Sequence, residues 1–384
     1  MRLIAIPLAV AVLALCAASA AGGITLDYQG AFRVPSGTFP GDPGNVDGRE
    51  TWAYGGRGLA FYPGGAGGGS LYGSCHAQIG WLGEMSIPAP VISATKTLGD
   101  LNTATQLQNF YPGGATGVLG LEYLPAQGSQ STGKLYAVSG AGNSGSAQIL
   151  SWCELDLSNP QVQGPWNPTN LDSRLGEELA MEIPSAWAGT HVGGRALAIG
   201  GHWGLWGRGP ALWAAAPWLE PTQPPPAGDM PGTVLLRYDA SNTMQDYHPE
   251  DEWKCGAWLE LGSDQAAIFA GRKATTVGTV TTYAATILFY YPDDLAQVAS
   301  GAWETYDPQP YAVLDVESLM FGAGHALLGM AYDRQGHVVY IAEDYGDGSA
   351  PLIHAWNVVP EPLTGCVLLA GAAALLCRKR GYGG

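Results

Sequence analysis

Three copies of one sequence phrase constrain the fold of this 384-residue chain more than any other feature. Each copy has a glycine, an apolar residue, a variable residue and an aromatic residue, then a turn, then an apolar stretch that contains a tyrosine. The copies begin at Gly58, Gly120 and Gly329. Side chains that alternate with a period of two are typical of a half-buried strand, and a turn-rich middle is typical of a hairpin connection. The phrase therefore predicts repeated pairs of antiparallel strands.

The repeats favour an all-β fold, and specifically a β-propeller. Glycine accounts for 56 residues and proline for 27, and long helical periodicity is absent from the sequence, so many short strands joined by turns are expected. Radial closure of repeated units protects strand edges, and about 50 residues per blade predicts about six or seven blades. Segments 24–34 and 352–358 are predicted to share one blade. The phrases resemble secreted bacterial β-propeller proteins, and two β-sandwich domains are the alternative.

The N-terminal segment 1–20 has the pattern of a secretory signal peptide. Arg2 is followed by an apolar run, and Ala18 and Ala20 are the small residues expected before a signal cleavage site. We therefore expect export of the chain and cleavage after Ala20. Residues 21–358 are then the extracellular propeller domain.

The C-terminal segment 359–384 has three parts. Pro360 and Pro362 fix φ and remove backbone donors, so the first part is predicted to be extended. Residues 363–377 are apolar and uncharged, which predicts a transmembrane segment, although a full span usually takes about 20 residues. Basic residues beside a span resist translocation. Three of them follow this segment and are expected to stay on the cytoplasmic side: Arg378, Lys379 and Arg380.

This order of parts resembles the PEP-CTERM sorting signal of bacterial exosortase substrates. The resemblance rests on Pro360, Glu361 and Pro362, on the apolar span and on the basic cluster behind it. It implies that an exosortase-type membrane enzyme recognises the three motif residues after the export machinery has acted. It also implies release or transfer to the cell surface or to an exopolysaccharide layer. The alternative is a plain tail anchor with no sorting enzyme.

Charge and cysteine content narrow the possible partners and cofactors. The chain has 33 Asp and Glu against 17 Lys and Arg, and this acidic surplus would repel a phosphate backbone, so nucleic acid is excluded as a partner. The predicted domain has three cysteines, Cys75, Cys153 and Cys255, and no C-x-x-C pair that would suggest zinc. An odd number allows one disulfide at most, and burial as small apolar side chains is favoured.

An acidic loop is the candidate metal site. Glu343, Asp344 and Asp347 directly follow a predicted strand, and the glycines beside them allow the backbone to turn. Carboxylate and carbonyl oxygens are the ligands that calcium prefers. The sequence therefore gives calcium as a candidate cofactor, although a solvated acidic turn is the commoner outcome of such a pattern.

Two histidines are candidate ligand-binding residues. His76 and His202 each follow a predicted strand end. In a propeller these ends can converge on one face, where ligand sites form, and the pair would then hold a metal or act as an acid and a base. The alternative is that each histidine caps its own turn by hydrogen bonding.

Four tryptophans fall within 16 residues: Trp203, Trp206, Trp213 and Trp218. If exposed, their rings would stack on sugars, and Trp203 and Trp206 join the two histidines as candidate ligand-binding residues. If buried, they are ordinary packing between blades, which large aromatic residues favour.

The leading functional hypothesis is an exported cell-surface or matrix protein that binds a glycan or another protein without catalysis. The alternative is a secreted hydrolase or lyase that acts on polysaccharide at a propeller face. A structural surface component with no small ligand is the third reading. The sequence contains neither H-E-x-x-H nor G-x-S-x-G, so zinc-protease and α/β-hydrolase chemistry have no motif to support them.

Overall fold

A computed structural model describes residues 23–42, 48–114, 117–142, 144–202, 207–220 and 229–361. The predicted signal peptide, with Ala18 and Ala20, lies outside these residues. The predicted membrane span 363–377 also lies outside them, together with Pro362, Arg378, Lys379 and Arg380. None of the helices within the described ranges is long and apolar enough to cross a membrane.

The described residues form five sheets, in each of which four strands pair antiparallel. The first strand, β1 (Ile24–Arg33), belongs to the fifth blade. The first blade has β2 (Leu59–Tyr62), β3 (Ser70–Ser74), β4 (Leu82–Ser86) and β5 (Gln106–Tyr111). The second has β6 (Val118–Leu124), β7 (Lys134–Ser139), β8 (Leu150–Cys153) and β9 (Gln163–Pro168). The third has β10 (Leu179–Glu182), β11 (Leu197–Gly201), β12 (Ala211–Ala215) and, further along the chain, β14 (Gly232–Leu236).

The short strand β13 (Asp229–Met230) adds to the second blade in parallel to β9. The fourth blade has β15 (Glu252–Leu261), β16 (Asp264–Val277), β17 (Val280–Tyr290) and β18 (Ala312–Asp315). The fifth has β19 (Leu327–Asp333), β20 (Val338–Asp347) and β21 (Ala350–Pro360), and β1 completes it. Helix α1 (Ser185–His191) lies within the third blade, and helix α2 (Pro292–Ala299) lies within the fourth.

The five sheets are the blades of a β-propeller. The innermost strands β2, β6, β10, β15 and β19 contact one another in turn, and β19 contacts β2, so the ring is closed. The all-β propeller prediction is confirmed, and the two-sandwich alternative is wrong. The predicted six or seven blades are also wrong, because long connections enlarge the blades. Examples are segments 87–105, 216–231 and 291–311, which carry no repeated phrase.

The glycines of the repeated phrase lie where the innermost strands approach each other most closely. A Cβ atom on Gly120 would lie 2.6 Å from the backbone carbon of Leu179 on the next inner strand. A Cβ atom on Gly329 would lie 2.4 Å from the carbonyl oxygen of Gly56. Real Cβ atoms do not approach this closely, so the tight central ring requires residues without a side chain.

The first and last strands close the ring. Strand β1 pairs antiparallel with β21, from Ile24 opposite Pro360 to Arg33 opposite Leu352. The predicted shared blade of segments 24–34 and 352–358 is confirmed. All three cysteines of the domain are buried and form no disulfide among the described residues, so the expectation of small apolar side chains is also confirmed for them.

Because every blade is an antiparallel meander entered at its innermost strand, these five strands run in the same direction along the axis. We call the end where they begin the entry face and the end where they finish the exit face. Apolar side chains of the inner strands fill the axis between the two faces closely in the described part of the chain. A cavity there measures about 10 Å³ and is lined by Leu59, Leu121, Leu179 and Met330 among others, which leaves room for one water molecule at most.

Candidate functional site

Charged side chains from four blades meet where the inner strands begin. Arg57 lies just before β2, and Glu177 and Glu178 lie just before β10. Glu252 and Lys254 lie in the first three residues of β15. Asp344 lies in β20, and its N–H donates to the carbonyl of Ala326, just before β19, at 2.9 Å. We call this group the axial cluster: Arg57, Glu177, Glu178, Glu252, Lys254 and Asp344.

Glu252 is the paired member of the cluster. Its two carboxylate oxygens lie 2.9 Å from Nζ of Lys254 and 2.9 Å from Nη2 of Arg272. Burial opposes the charge on Glu252, but the two cations outweigh it and lower the pKa of this carboxyl. Glu252 is therefore ionised and orients both cations at the mouth of the axis.

Arg57, Glu178 and Asp344 are the unpaired members. Within the described ranges their side chains form no hydrogen bond and no ion pair within 4.0 Å. Glu178 is only 5% exposed, and the other two are half-buried. A charged group shielded from bulk water without a partner is unfavourable, so Arg57 is placed to donate hydrogen bonds to a ligand, and Glu178 and Asp344 are placed to accept them.

The other three carboxyl groups of the cluster, those of Glu177, Glu178 and Asp344, hold protons more tightly than usual. Burial raises the pKa of Glu178 and of Asp344, although Lys254 and Arg57 oppose the change in both cases. Burial raises the pKa of Glu177 to about 7, even though the N–H groups of Ala141 and Gly142 donate to it. A carboxyl group that titrates near neutral pH, as Glu177 does, can both donate and accept a proton in a reaction.

The backbone around Glu178 explains its position. Its N–H donates to the carbonyl of Gly200 at 3.1 Å, which ties the entry into β10 to the end of β11. Gly201 follows with φ +116°, and a Cβ atom there would lie 2.5 Å from Cβ of Glu178. Glycine at this position therefore leaves the space through which the Glu178 side chain reaches the axis.

The two candidate histidines do not contact each other within the described ranges. His76 Nδ1 accepts from the N–H of Gln78 at 3.2 Å, and its ring packs 5.1 Å from that of Tyr54. His76 therefore caps its own turn by hydrogen bonding, which is the alternative to a ligand-binding role. His202 is fully buried, its backbone pairs with Trp253, and burial lowers the pKa of its ring. A shared acid–base pocket for the two histidines gains no support.

The three carboxylates of the predicted calcium loop go to separate partners. Glu343 accepts from the N–H groups of Phe321 and Gly322 and bonds to the rings of His325 and His354, at 2.8 to 3.0 Å. Asp347 pairs with Arg33 at 2.7 Å, and Asp344 turns to the axial cluster. No three His, Cys, Asp or Glu side chains in the described parts of the chain are grouped closely enough to hold a metal ion. The calcium expectation therefore gains no support.

Trp213 and Trp218 are buried at 0% and 3% exposure. The ring of Trp218 packs edge-on against Tyr136 at 5.7 Å. The alternative that these two tryptophans are buried as packing is therefore confirmed, and the prediction that they stack on sugars is wrong. Trp203 and Trp206 lie outside the described residues.

Sequence reasoning missed most of the axial cluster. It selected Asp344, but for calcium, and it overlooked Arg57, Glu177, Glu178, Glu252 and Lys254. A usable signal was present, since only 13% of residues are charged and these charges stand immediately before or within the start of apolar inner strands. In a closed ring such positions lie around one opening.

Comparisons with known proteins give little further guidance. No family model and no curated protein sequence matches this chain. Among solved structures, it is similar to a mutant of an α-L-arabinofuranosidase from Fusarium graminearum in complex with an iminosugar inhibitor. The identity is 8%, with 88% of this chain and 98% of that chain covered and a TM-score of 0.34.

A second match is the GH93 α-L-arabinofuranosidase of Fusarium graminearum in complex with arabinobiose. The identity is 9%, with 87% of this chain and 97% of that chain covered and a TM-score of 0.33. These values are too low to carry the activity or the site of either enzyme over to this chain. Its function therefore has to be argued from the axial cluster.

Proposed function

We propose that the axial cluster binds a glycan outside the cell. The observation that carries this proposal is the unpaired state of Arg57, Glu178 and Asp344 at the mouth of a filled axis. Sugar hydroxyls both donate and accept hydrogen bonds, so one sugar ring can satisfy a guanidinium and two carboxyl groups together. The ligand rests on the entry face, because the axis below the cluster has no room for it.

The opposite charges of the cluster support a glycan over a simple ion. Arg57 and Lys254 would repel a metal cation, and the carboxyl groups of Glu177 and Glu178 would repel phosphate. A polyhydroxylated ligand faces neither penalty. The acidic surplus of the chain, with 33 acidic and 17 basic residues, further disfavours a nucleic acid.

The test is binding of the exported protein to an array of oligosaccharides, followed by titration calorimetry with the best ligand. Arg57→Ala should weaken binding about tenfold or more, because a charged hydrogen bond contributes about 1.5 to 3 kcal/mol. Arg237→Ala is the matched control, since Arg237 is exposed at the far end of the third blade. Equal affinity of Arg57→Ala and wild type would overturn the proposal.

A second candidate function is glycoside hydrolysis at the same site. It is favoured by Glu177 and Glu178, because a glycosidase needs two carboxyl groups at one site, one of which must hold a proton, and burial raises the pKa of both groups here. In that case Glu178→Gln should abolish release of reducing sugar while the ligand still binds. If the glycan bound to the wild-type protein is still intact after prolonged incubation, hydrolysis is refuted and glycan binding remains the proposed function.

We also propose export and sorting through the two ends of the chain. The support is the sequence pattern of residues 1–20 and 359–384, and the position of the motif relative to the fold. Strand β21 ends at Pro360, and the N–H of Glu361 donates to the carbonyl of Gly23 at 2.7 Å. The motif thus begins where the propeller ends, and an exosortase-type enzyme would deliver the domain to the cell surface or an exopolysaccharide layer.

Replacement of Glu361 by Ala tests the sorting proposal by cell fractionation. The variant should accumulate in the membrane fraction, because the sorting enzyme no longer recognises the motif. Glu304→Ala, at an exposed position on the propeller, serves as the control. Release of the Glu361 variant at the wild-type level would refute the sorting role and leave a plain tail anchor.

A further inference from the structure

A second cavity opens at the opposite end of the axis, where the inner strands finish. It measures about 310 Å³ and lies among the ends of β2, β6, β10 and β19. We call it the exit pocket. Its volume is in the range of pockets that hold small organic molecules, and the filled axis separates it from the axial cluster.

Arg334 lies in the wall of the exit pocket but is already saturated. Its Nε donates to Oε2 of Glu182 and its Nη2 donates to the carbonyl of Glu182 at 2.8 Å. Its Nη1 donates to the carbonyl of Trp258 at 3.0 Å and lies 3.3 Å from Oε2 of Glu260. A guanidinium has five N–H groups, so Arg334 has little left for an anionic ligand.

Carboxyl groups dominate the remaining charge of the pocket. Glu122, Glu182 and Asp333 line it, and only Glu182 has a cationic side-chain partner in the described parts of the chain. Glu122 accepts from the N–H groups of Tyr123 and Glu182 at 3.0 and 3.1 Å. Asp333 accepts from the N–H groups of Gln335 and Gly336 in a local turn. The pocket therefore attracts a cation.

Apolar groups form the rest of the wall. The rings of Phe61, Tyr123 and Tyr332 line the cavity together with two prolines, Pro63 and Pro125. A strongly hydrated metal ion would make no favourable contact with such an apolar wall. An organic cation would bind there, because its apolar body is buried against the rings and its charge is attracted by aromatic groups and by carboxylates.

We propose that the exit pocket binds a small organic cation, an amine or a quaternary ammonium ion with a short apolar body. Glu122 is the group that balances the charge of the ligand. This site is independent of the axial cluster, and the proposal stands whether or not the entry face binds a glycan.

Binding at this pocket should release a proton. Burial raises the pKa of Glu122 to about 8, while Arg334 opposes and Glu182 adds to the change. Asp333 also lines the pocket, and Glu260 acts through Arg334. Glu122 is mostly protonated at pH 7, and it must ionise to pair with a cation. Affinity should therefore rise with pH up to about 8, by up to about tenfold per pH unit.

The experiment is calorimetry on the exported protein with two probes of the same shape. One is the (2-hydroxyethyl)trimethylammonium ion, whose charge does not depend on pH, and the other is its uncharged isostere 3,3-dimethylbutan-1-ol. The cation should bind about tenfold or more tightly than the isostere, with affinity rising between pH 6 and 8. Equal affinities, a flat pH profile or no binding of the cation would each overturn the proposal.

Glu122→Gln sharpens the test. This variant should weaken binding of the cation about tenfold and remove its pH dependence, while binding of the isostere is unchanged. Glu304→Gln, at an exposed position, is the control and should behave as wild type. Wild-type affinity for the cation in Glu122→Gln would contradict the assignment. If Glu122→Gln fails to fold, the two wild-type arms still decide the question.

Discussion

The two ends of the propeller axis use arginine in opposite ways. At the exit face, Arg334 bonds to Glu182, to Glu260 and to a main-chain carbonyl of the fourth blade. At the entry face, Arg57 has neither a hydrogen bond nor an ion pair in the described ranges, although Glu178 lies near it. The same residue type thus joins blades at one end and is free to bind at the other. The two arginines differ in whether their N–H groups already have hydrogen-bond partners.

Removal of Arg334 should have the largest effect on this contrast. In Arg334→Met the carboxylates of Glu182 and Glu260 lose their cation, and the third and fourth blades lose the partner that they share on the fifth. We expect the free energy of unfolding to fall by about 3 kcal/mol, as for other partly buried ion pairs broken on one side. Urea unfolding measures it, with Arg237→Met as a control that changes little. A wild-type midpoint for Arg334→Met would show that Arg334 is not a structural clamp.

The free energy of unfolding should depend on pH, because carboxyl groups at both faces have shifted pKa values. Burial raises the pKa of Glu122 to about 8 and that of Glu177 to about 7, so the folded state keeps protons that the unfolded state has already lost above about pH 4.5. Stability should therefore fall as pH rises from about 5 to 8. Below that range it should fall again, because the pKa of Glu252 and of Glu343 is lowered.

Thermal unfolding between pH 4 and 9 measures this profile. The midpoint temperature should be highest at mildly acidic pH, and the double variant Glu122→Gln, Glu177→Gln should flatten its alkaline side. A midpoint that rises steadily from pH 5 to pH 8 would contradict the assignment of raised pKa values at both faces.

Substitution of Glu178 should have a smaller effect, and of opposite sign. Glu178→Gln removes a buried carboxyl group that has no hydrogen-bond partner among the described residues and whose ionised form burial disfavours. The free energy of unfolding should therefore increase by about 1 kcal/mol, and more at alkaline than at acidic pH. The expected cost is loss of ligand binding or turnover. Chemical denaturation measures the gain. Destabilisation by Glu178→Gln would mean that Glu178 is structural.

The smallest effect is expected for Arg57→Met. Arg57 makes no hydrogen bond or ion pair in the described parts of the chain, so the free energy of unfolding should change by about 0.5 kcal/mol or less. The contrast with Arg334→Met is the direct test of the comparison between the faces. A loss for Arg57→Met as large as that for Arg334→Met would remove the distinction.

The sequence predicted the type of fold because the repeated phrase has a physical cause. Gly120 and Gly329 lie where inner strands meet too closely for a Cβ atom, so each copy marks an inner strand. The number of blades was wrong because the long connections of the blades carry no such constraint. Arg57 and Glu178 stood beside inner strands in the sequence, but their convergence depends on the closure and order of the ring. That information is not contained in any local pattern.

Strand β1 is the first described strand in the sequence, yet it pairs with β21, the last described strand. The hydroxyl of Tyr28 bonds to His354 at 3.0 Å, across a separation of 326 residues. Contacts so distant in sequence form slowly, since a long loop must close before they stabilise anything. The ring therefore cannot close until β21 has been synthesised. A chain that stops before Ala350 would leave β1 and β20 as unpaired edges, which are prone to aggregation.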